Sequence, residues 1–132
     1  MKRLHAVIGL VGVIAFVGTG AAMRLHRPGM GEVDGGTRML YRSRHVYLLL
    51  SGLLNLALGT YYRASGRPWR RRLQSIGSCL ILAAPPLLLA AFVREPHGSD
   101  LSLPFTRPAI IGMLAGTLLH AFAGAGPGHR GE

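Results

Sequence analysis

The sequence predicts an all-α integral membrane protein, a bundle of four transmembrane helices with a kinked third helix. Two observations carry this fold class. Four apolar stretches, Leu4–Met23, Val46–Tyr62, Leu73–Val93 and Pro108–Gly124, contain no Asp, Glu, Lys or Arg. They run 17 to 21 residues, close to the roughly 20 that a helix needs to cross a bilayer core. The basic residues fall between these stretches, where membrane proteins place Lys and Arg for orientation. The chain of 132 residues allows one domain, a single transmembrane domain over 1–132, because the connecting segments are too short to bury a core of their own. The net charge of +10 and isoelectric point near 11.5 would fit nucleic acid, but the segregation of arginines into connections assigns that charge to the membrane surface. No nucleic-acid partner is expected.

Span one, 4–23, is glycine-rich. His5, Gly9, Gly12, Phe16, Thr19 and Met23 recur at alternating steps of four and three and so share one helix face. Gly9 and Gly12 on that face allow a neighbouring backbone to come close, which is how membrane helices pack. Met1-Lys2-Arg3 ahead of the apolar run, and Gly20-Ala21-Ala22 near its end, mimic a secretory signal. The length of the run and the arginines at 24 and 27 favour an anchored helix instead.

The connection after it, from Arg24 on, is punctuated by Gly29, Gly31, Gly35 and Gly36, which read as loop. Thr37 is the expected cap of a helix that begins before the membrane and leads into span two, 46–62. One face of span two carries Ser51, Gly52, Asn55, Gly59 and Tyr62. Gly52 and Gly59 are packing residues. Asn55 falls near mid-span, where an amide needs a hydrogen-bond partner on another helix.

The second connection, Arg63–Arg72, holds five arginines, Arg63, Arg67, Arg70, Arg71 and Arg72, beside Trp69. An aromatic next to arginines is the composition of a membrane interface, and the cluster is a candidate for binding anionic lipid, cardiolipin included. Span three, 73–93, contains Pro85-Pro86 at its centre. Prolines there remove two backbone donors, strand the carbonyls near Ile81 and Leu82, and predict a kink. Cys79, the single cysteine, reads as a small buried apolar residue. Span four, 108–124, opens on Pro108 and places Gly112, Gly116 and His120 at steps of four. The two glycines are again packing candidates.

The chemistry on offer is narrow. All five acidic residues lie outside the spans, which argues against proton-coupled drug antiport. No paired carboxylates, nucleophile with base, or HExxH is present, so no catalytic residues are assigned and the chain is expected not to be an enzyme. No cofactor is assigned either. The alternative is a b-type haem electron carrier, with His5 and His120 as axial ligands from spans one and four. A second alternative is a small-molecule transporter or channel built on Asn55 and the Pro85-Pro86 break. His26, His45 and His97 gather at the opposite face, but without the close spacing of zinc ligands no metal site is assigned.

Orientation is set by a near balance of eight basic residues on one side against seven on the other. The dense arginines of the short second connection favour both termini in the cytoplasm. The run Arg42–Gly59, with Arg71-Arg72-Leu73-Gln74 and Ala84–Leu89, resembles small uncharacterised four-span inner-membrane proteins of bacteria. The resemblance covers about the middle half of the chain and implies a multi-pass inner-membrane location but no activity. The expected role is an accessory or structural subunit of a larger inner-membrane assembly. Its partners would be the lipid bilayer, anionic lipids, and a membrane protein or a second copy of the chain.

Overall fold

The computed structural model describes residues 1–25, 33–95 and 103–124. Among these the chain is all-helical, with α1 at Lys2–Leu25, α2 at Gly35–Tyr61, α3 at Pro68–Arg94 and α4 at Thr106–Gly124. The helices run alternately up and down. α1 packs chiefly on α2, and α3 on α4; α2 and α3 join these two hairpins, while α1 and α4 do not pack on each other.

Two of the helices, α1 and α3, are long and apolar enough to cross a membrane, each with a mean hydropathy of 2.2. By the same measure of length and composition α2 and α4 fall short. α2 carries Arg44, His45 and Asn55 along its length, and α4 is a 19-residue helix that starts Thr106-Arg107-Pro108.

Two helix starts and the course of α3 differ from the sequence expectation. α2 begins at Gly35 and is capped by Asp34, not Thr37: the Asp34 carboxylate accepts from the Gly36 and Thr37 N–H groups at 2.9 and 3.0 Å. A carboxylate accepts two orphan donors and also favours the positive end of the helix, so Gly35 and Gly36 become first-turn residues. The Thr37 side chain, together with the Thr37 and Gly36 amides, holds the Asp34 carboxyl below its ordinary range. α3 begins at Pro68, whose fixed φ suits the first helical position. Trp69, Arg70, Arg71 and Arg72 are therefore helical, and only residues 62–67 connect α2 to α3. α3 also continues without interruption through Pro85 and Pro86, so the lost backbone bonds do not divide the helix.

Glycines set the closest approaches. A Cβ added at Gly59 would lie 2.8 Å from the Ala6 backbone, and one at Gly9 2.6 Å from the Leu56 nitrogen. Gly12 and Gly52 face each other on the same α1–α2 seam. On the α3–α4 seam a Cβ added at Gly116 would lie 2.7 Å from the Gly77 carbonyl oxygen, whereas one at Gly112 would meet nothing nearer than 3.6 Å. Gly77, unassigned from sequence, is thus the partner of Gly116.

At the end where α1 and α3 finish, a buried ion pair holds three helices together. Arg44 of α2 donates from Nε to Oε2 of Glu95 at 2.6 Å. Its Nη2 lies 2.6 Å from the same oxygen, adding charge without good hydrogen-bond alignment. Oε1 of Glu95 accepts the Phe105 and Thr106 N–H groups at 2.8 and 2.9 Å, and Oε2 also accepts the Thr106 hydroxyl. One carboxylate from the end of α3 thereby caps α4 and anchors α2. Burial would raise the Glu95 pKa, but the bonds from Thr106, Phe105 and Arg44 outweigh it and leave the carboxyl below the ordinary 4.5.

Two outcomes follow. Gly59→Ala should lower unfolding stability in detergent by about 1–3 kcal/mol through backbone overpacking, while Gly112→Ala should be neutral or stabilising. Because its folded pKa is depressed, Glu95 contributes stability that is complete above its ordinary 4.5 and is lost as pH falls through the folded value. The stability gap between the wild type and Glu95→Gln should therefore be full at neutral pH and narrow in acid; a gap that widens in acid would contradict the assignment.

Candidate functional site

The interior of the bundle is polar at the end opposite Glu95. His5 of α1 and Ser51, Asn55 and Ser78 of α2 and α3 are wholly buried. The α1 face that repeats every three to four residues is the buried one, through His5, Gly9, Gly12 and Thr19. The corresponding face of α2 buries Ser51, Gly52 and Asn55.

Asn55 is the junction. Its Nδ2 donates to the Ser51 carbonyl at 2.9 Å and to the Ile81 carbonyl on α3 at 3.1 Å. Ile81 lies four residues before Pro85, so its carbonyl has lost its usual helical donor; the asparagine supplies another. With both amide hydrogens committed to carbonyls, Oδ1 must accept, and its partner is Nδ1 of His5 at 2.7 Å. The contact requires a proton on Nδ1. That leaves Nε2 of a neutral His5 as an acceptor, and this buried atom has no hydrogen-bond partner among the described residues.

Across the bundle, His120 of α4 meets the Ser78 hydroxyl through Nε2 at 3.1 Å. The Tyr62 ring contacts both histidines: its centroid is 6.4 Å from that of His5 and 5.6 Å from that of His120, edge-on to the latter. Gln74 then pins the α2–α3 connection above this cluster, accepting from the Ser65 N–H at 2.8 Å and donating to the Arg63 carbonyl at 3.1 Å. Over Tyr62 lies a hollow of about 490 Å³, lined by Met1, Lys2, Tyr62, Ala64, Arg71 and Ser75.

The two histidines considered for haem thus come to one end of the bundle. Each already spends one ring nitrogen on a local hydrogen bond, and the Tyr62 ring packs against both. Asn55 and the Pro85-Pro86 segment come together as well, but as a closed set of hydrogen bonds. Arg63, Arg67, Trp69, Arg71 and Arg72 are exposed at this same end, with the Arg70 guanidinium 5.1 Å from the Trp69 ring centroid. At the far end His45 stacks on Phe16 at 4.0 Å and bonds Thr19 at 2.9 Å. His26 and His97 lie outside the described residues, among which no group of three or more His, Cys, Asp or Glu side chains gathers. Cys79 is exposed, not buried, because Gly77 and Ser78 take the inward face of α3.

Sequence reasoning missed Tyr62 and Ser78 as neighbours of the histidines, and missed the Arg44–Glu95 pair. A signal for the pair was present: an arginine directly before span two and a glutamate directly after span three stand at the same end of an up-and-down bundle.

Comparison with known proteins returns no match: no family model, no curated protein and no solved structure resembles this chain significantly.

The two histidines should differ in structural weight. His5→Ala strips the buried Asn55 Oδ1 of its donor and should cost about 1–3 kcal/mol of unfolding free energy. His120→Ala, at a partly exposed site with one longer bond, should cost less. Unfolding curves in detergent read both values, and a reversed order would contradict this account of the junction.

Proposed function

We propose that this chain is a four-span membrane bundle acting as an accessory or structural subunit of a larger inner-membrane assembly, without enzymatic activity. One observation carries the membrane reading: the helices turn broad apolar faces outward, while polar side chains are buried beside an apolar core of Leu48, Ala84, Leu88, Ala109 and Met113. Val7, Leu10, Val11, Ile14 and Val17 on α1, Leu50 and Leu53 on α2, Ile76 and Val93 on α3, and Ile111, Leu114, Leu118 and Phe122 on α4 are each more than half exposed. His5, Ser51, Asn55 and Ser78 are fully buried. In water an apolar surface of that extent is an aggregation hazard; in lipid it is the required surface. α2 and α4 present it as fully as α1 and α3, which supports four spans despite their lower hydropathy.

The structural role is supported by how the interior polar groups are used. Asn55, Gln74, Ser78 and Glu95 bond to other helices or to the connections between them, so they act as interhelical glue. The close-packed glycine seams are consumed within the bundle and leave the subunit reading to rest on the broad uncovered face of α1. A haem carrier would instead draw on His5 and His120, and a transporter on Asn55 with Pro85-Pro86.

Purification in mild detergent, with a visible spectrum and a search for a stoichiometric partner, separates these readings. The subunit reading expects a partner protein and no Soret band. A Soret band lost in both His5→Gln and His120→Gln would replace it with the carrier. For topology, a periplasm-active reporter should be silent when fused at Gly66 and active when fused at Gly35; the reverse pattern would invert the orientation.

A further inference from the structure

The arginine-rich end carries unbalanced charge around two adjoining hollows. Lys2, Arg3, Arg63, Arg67, Arg70, Arg71 and Arg72 all stand there. The two carboxylates among the described residues, Asp34 and Glu95, are both at the other end, capping α2 and α4. These cations therefore have no carboxylate partner among the described residues.

The charge is shaped as well as concentrated. One hollow, of about 490 Å³, is the one above Tyr62, lined also by Lys2, Arg71 and Ser75. The second, of about 540 Å³, is lined by Gly66, Pro68, Arg71, Arg72, Ser75 and Ile76. Arg71 and Ser75 form the wall common to both; they stand four apart on α3, hence on one face. Each hollow has two cations, a shared serine hydroxyl, and an apolar wall, Tyr62 in one and Ile76 in the other. Gln74 holds the connection between them in place through Arg63 and Ser65.

We propose that this pair of hollows binds the headgroup of an anionic lipid bearing two phosphates, of the diphosphatidylglycerol class. One phosphate sits with Lys2 and Arg71, the other with Arg71 and Arg72, and the shared arginine bridges them through its forked donors. The acyl chains run down the exposed apolar faces beside Ile76 and Val7. A single-phosphate lipid fills one hollow and leaves the other uncompensated, so the site discriminates by phosphate number and not by charge alone. This inference rests on the membrane reading above.

The test places the full chain in nanodiscs of zwitterionic lipid doped with either diphosphatidylglycerol or phosphatidylglycerol at equal phosphate content, and reads bound lipid by native mass spectrometry. We expect about tenfold preference for the two-phosphate lipid. Arg71→Gln should abolish the preference, and Arg72→Gln or Lys2→Gln should each reduce it severalfold. Arg38→Gln, at the opposite end, should leave it unchanged. Equal retention of both lipids, or an effect of Arg38→Gln as large as that of Arg71→Gln, would overturn the site. Displacement of bound lipid by millimolar inorganic pyrophosphate would assign the hollows to a soluble phosphate and overturn the lipid assignment. A chain that fails to enter nanodiscs would fail the membrane reading and the site with it; one that enters without preference fails the site alone.

Discussion

The bundle depends on a defect in one helix and its repair by another. Pro85 leaves the Ile81 carbonyl without a helical donor at the centre of α3. In an apolar surround such a group costs a few kcal/mol if left bare. Asn55 reaches across from α2 and donates to it at 3.1 Å. The same amide accepts from His5 of α1 at 2.7 Å, so one side chain fixes the positions of three helices. The arrangement is mutual: without the proline the carbonyl would be taken, and without the carbonyl the asparagine would be a buried amide with an unused donor.

A second tie at the opposite end completes the fourth helix. Glu95 caps α4 through the Phe105 and Thr106 amides while holding Arg44 of α2. Removing either charge from this buried pair leaves the other uncompensated, which is costlier than the pair itself. Away from these ties the helices need only pack. Glycines at 9, 12, 52 and 59 do this for α1 on α2, and Gly77 with Gly116 for α3 on α4. A few directional bonds combined with close backbone contacts fit the proposed membrane reading, in which burying apolar surface gives little net driving force.

The helices and their inward faces were largely legible in the sequence, because charge-free runs and steps of three and four are local signals. His5, Gly9 and Gly12 could be placed on one face by counting alone, and the need of Asn55 for a partner followed from its position. The identity of that partner was half legible: Pro85 marks Ile81 as a freed acceptor, but nothing local says which helix lies opposite. The helix starts were misplaced where glycine and arginine looked like loop. Asp34 and Pro68 are stronger start signals than the glycines and arginines beside them are stop signals. Tyr62 was placed on the Asn55 face of span two but not beside the histidines, and Glu95 was not paired with Arg44, because each joins its cluster only through packing between distant helices. His5 with Tyr62 and His120, or Arg44 with Glu95, are separations that only the fold closes.

The most direct test of this account is a double-mutant cycle between Asn55→Ala and Pro85→Ala, read as unfolding free energy in bicelles. Asn55→Ala alone should destabilise, leaving the Ile81 carbonyl bare. Pro85→Ala returns a backbone N–H to that carbonyl, so in the Asn55→Ala background it should recover part of the loss, with a coupling of about 0.5–2 kcal/mol. Effects that simply add, within the roughly 0.3–0.5 kcal/mol seen for independent sites, would show that the asparagine and the proline do not serve the same carbonyl and would remove the constraint on which the bundle is argued to depend.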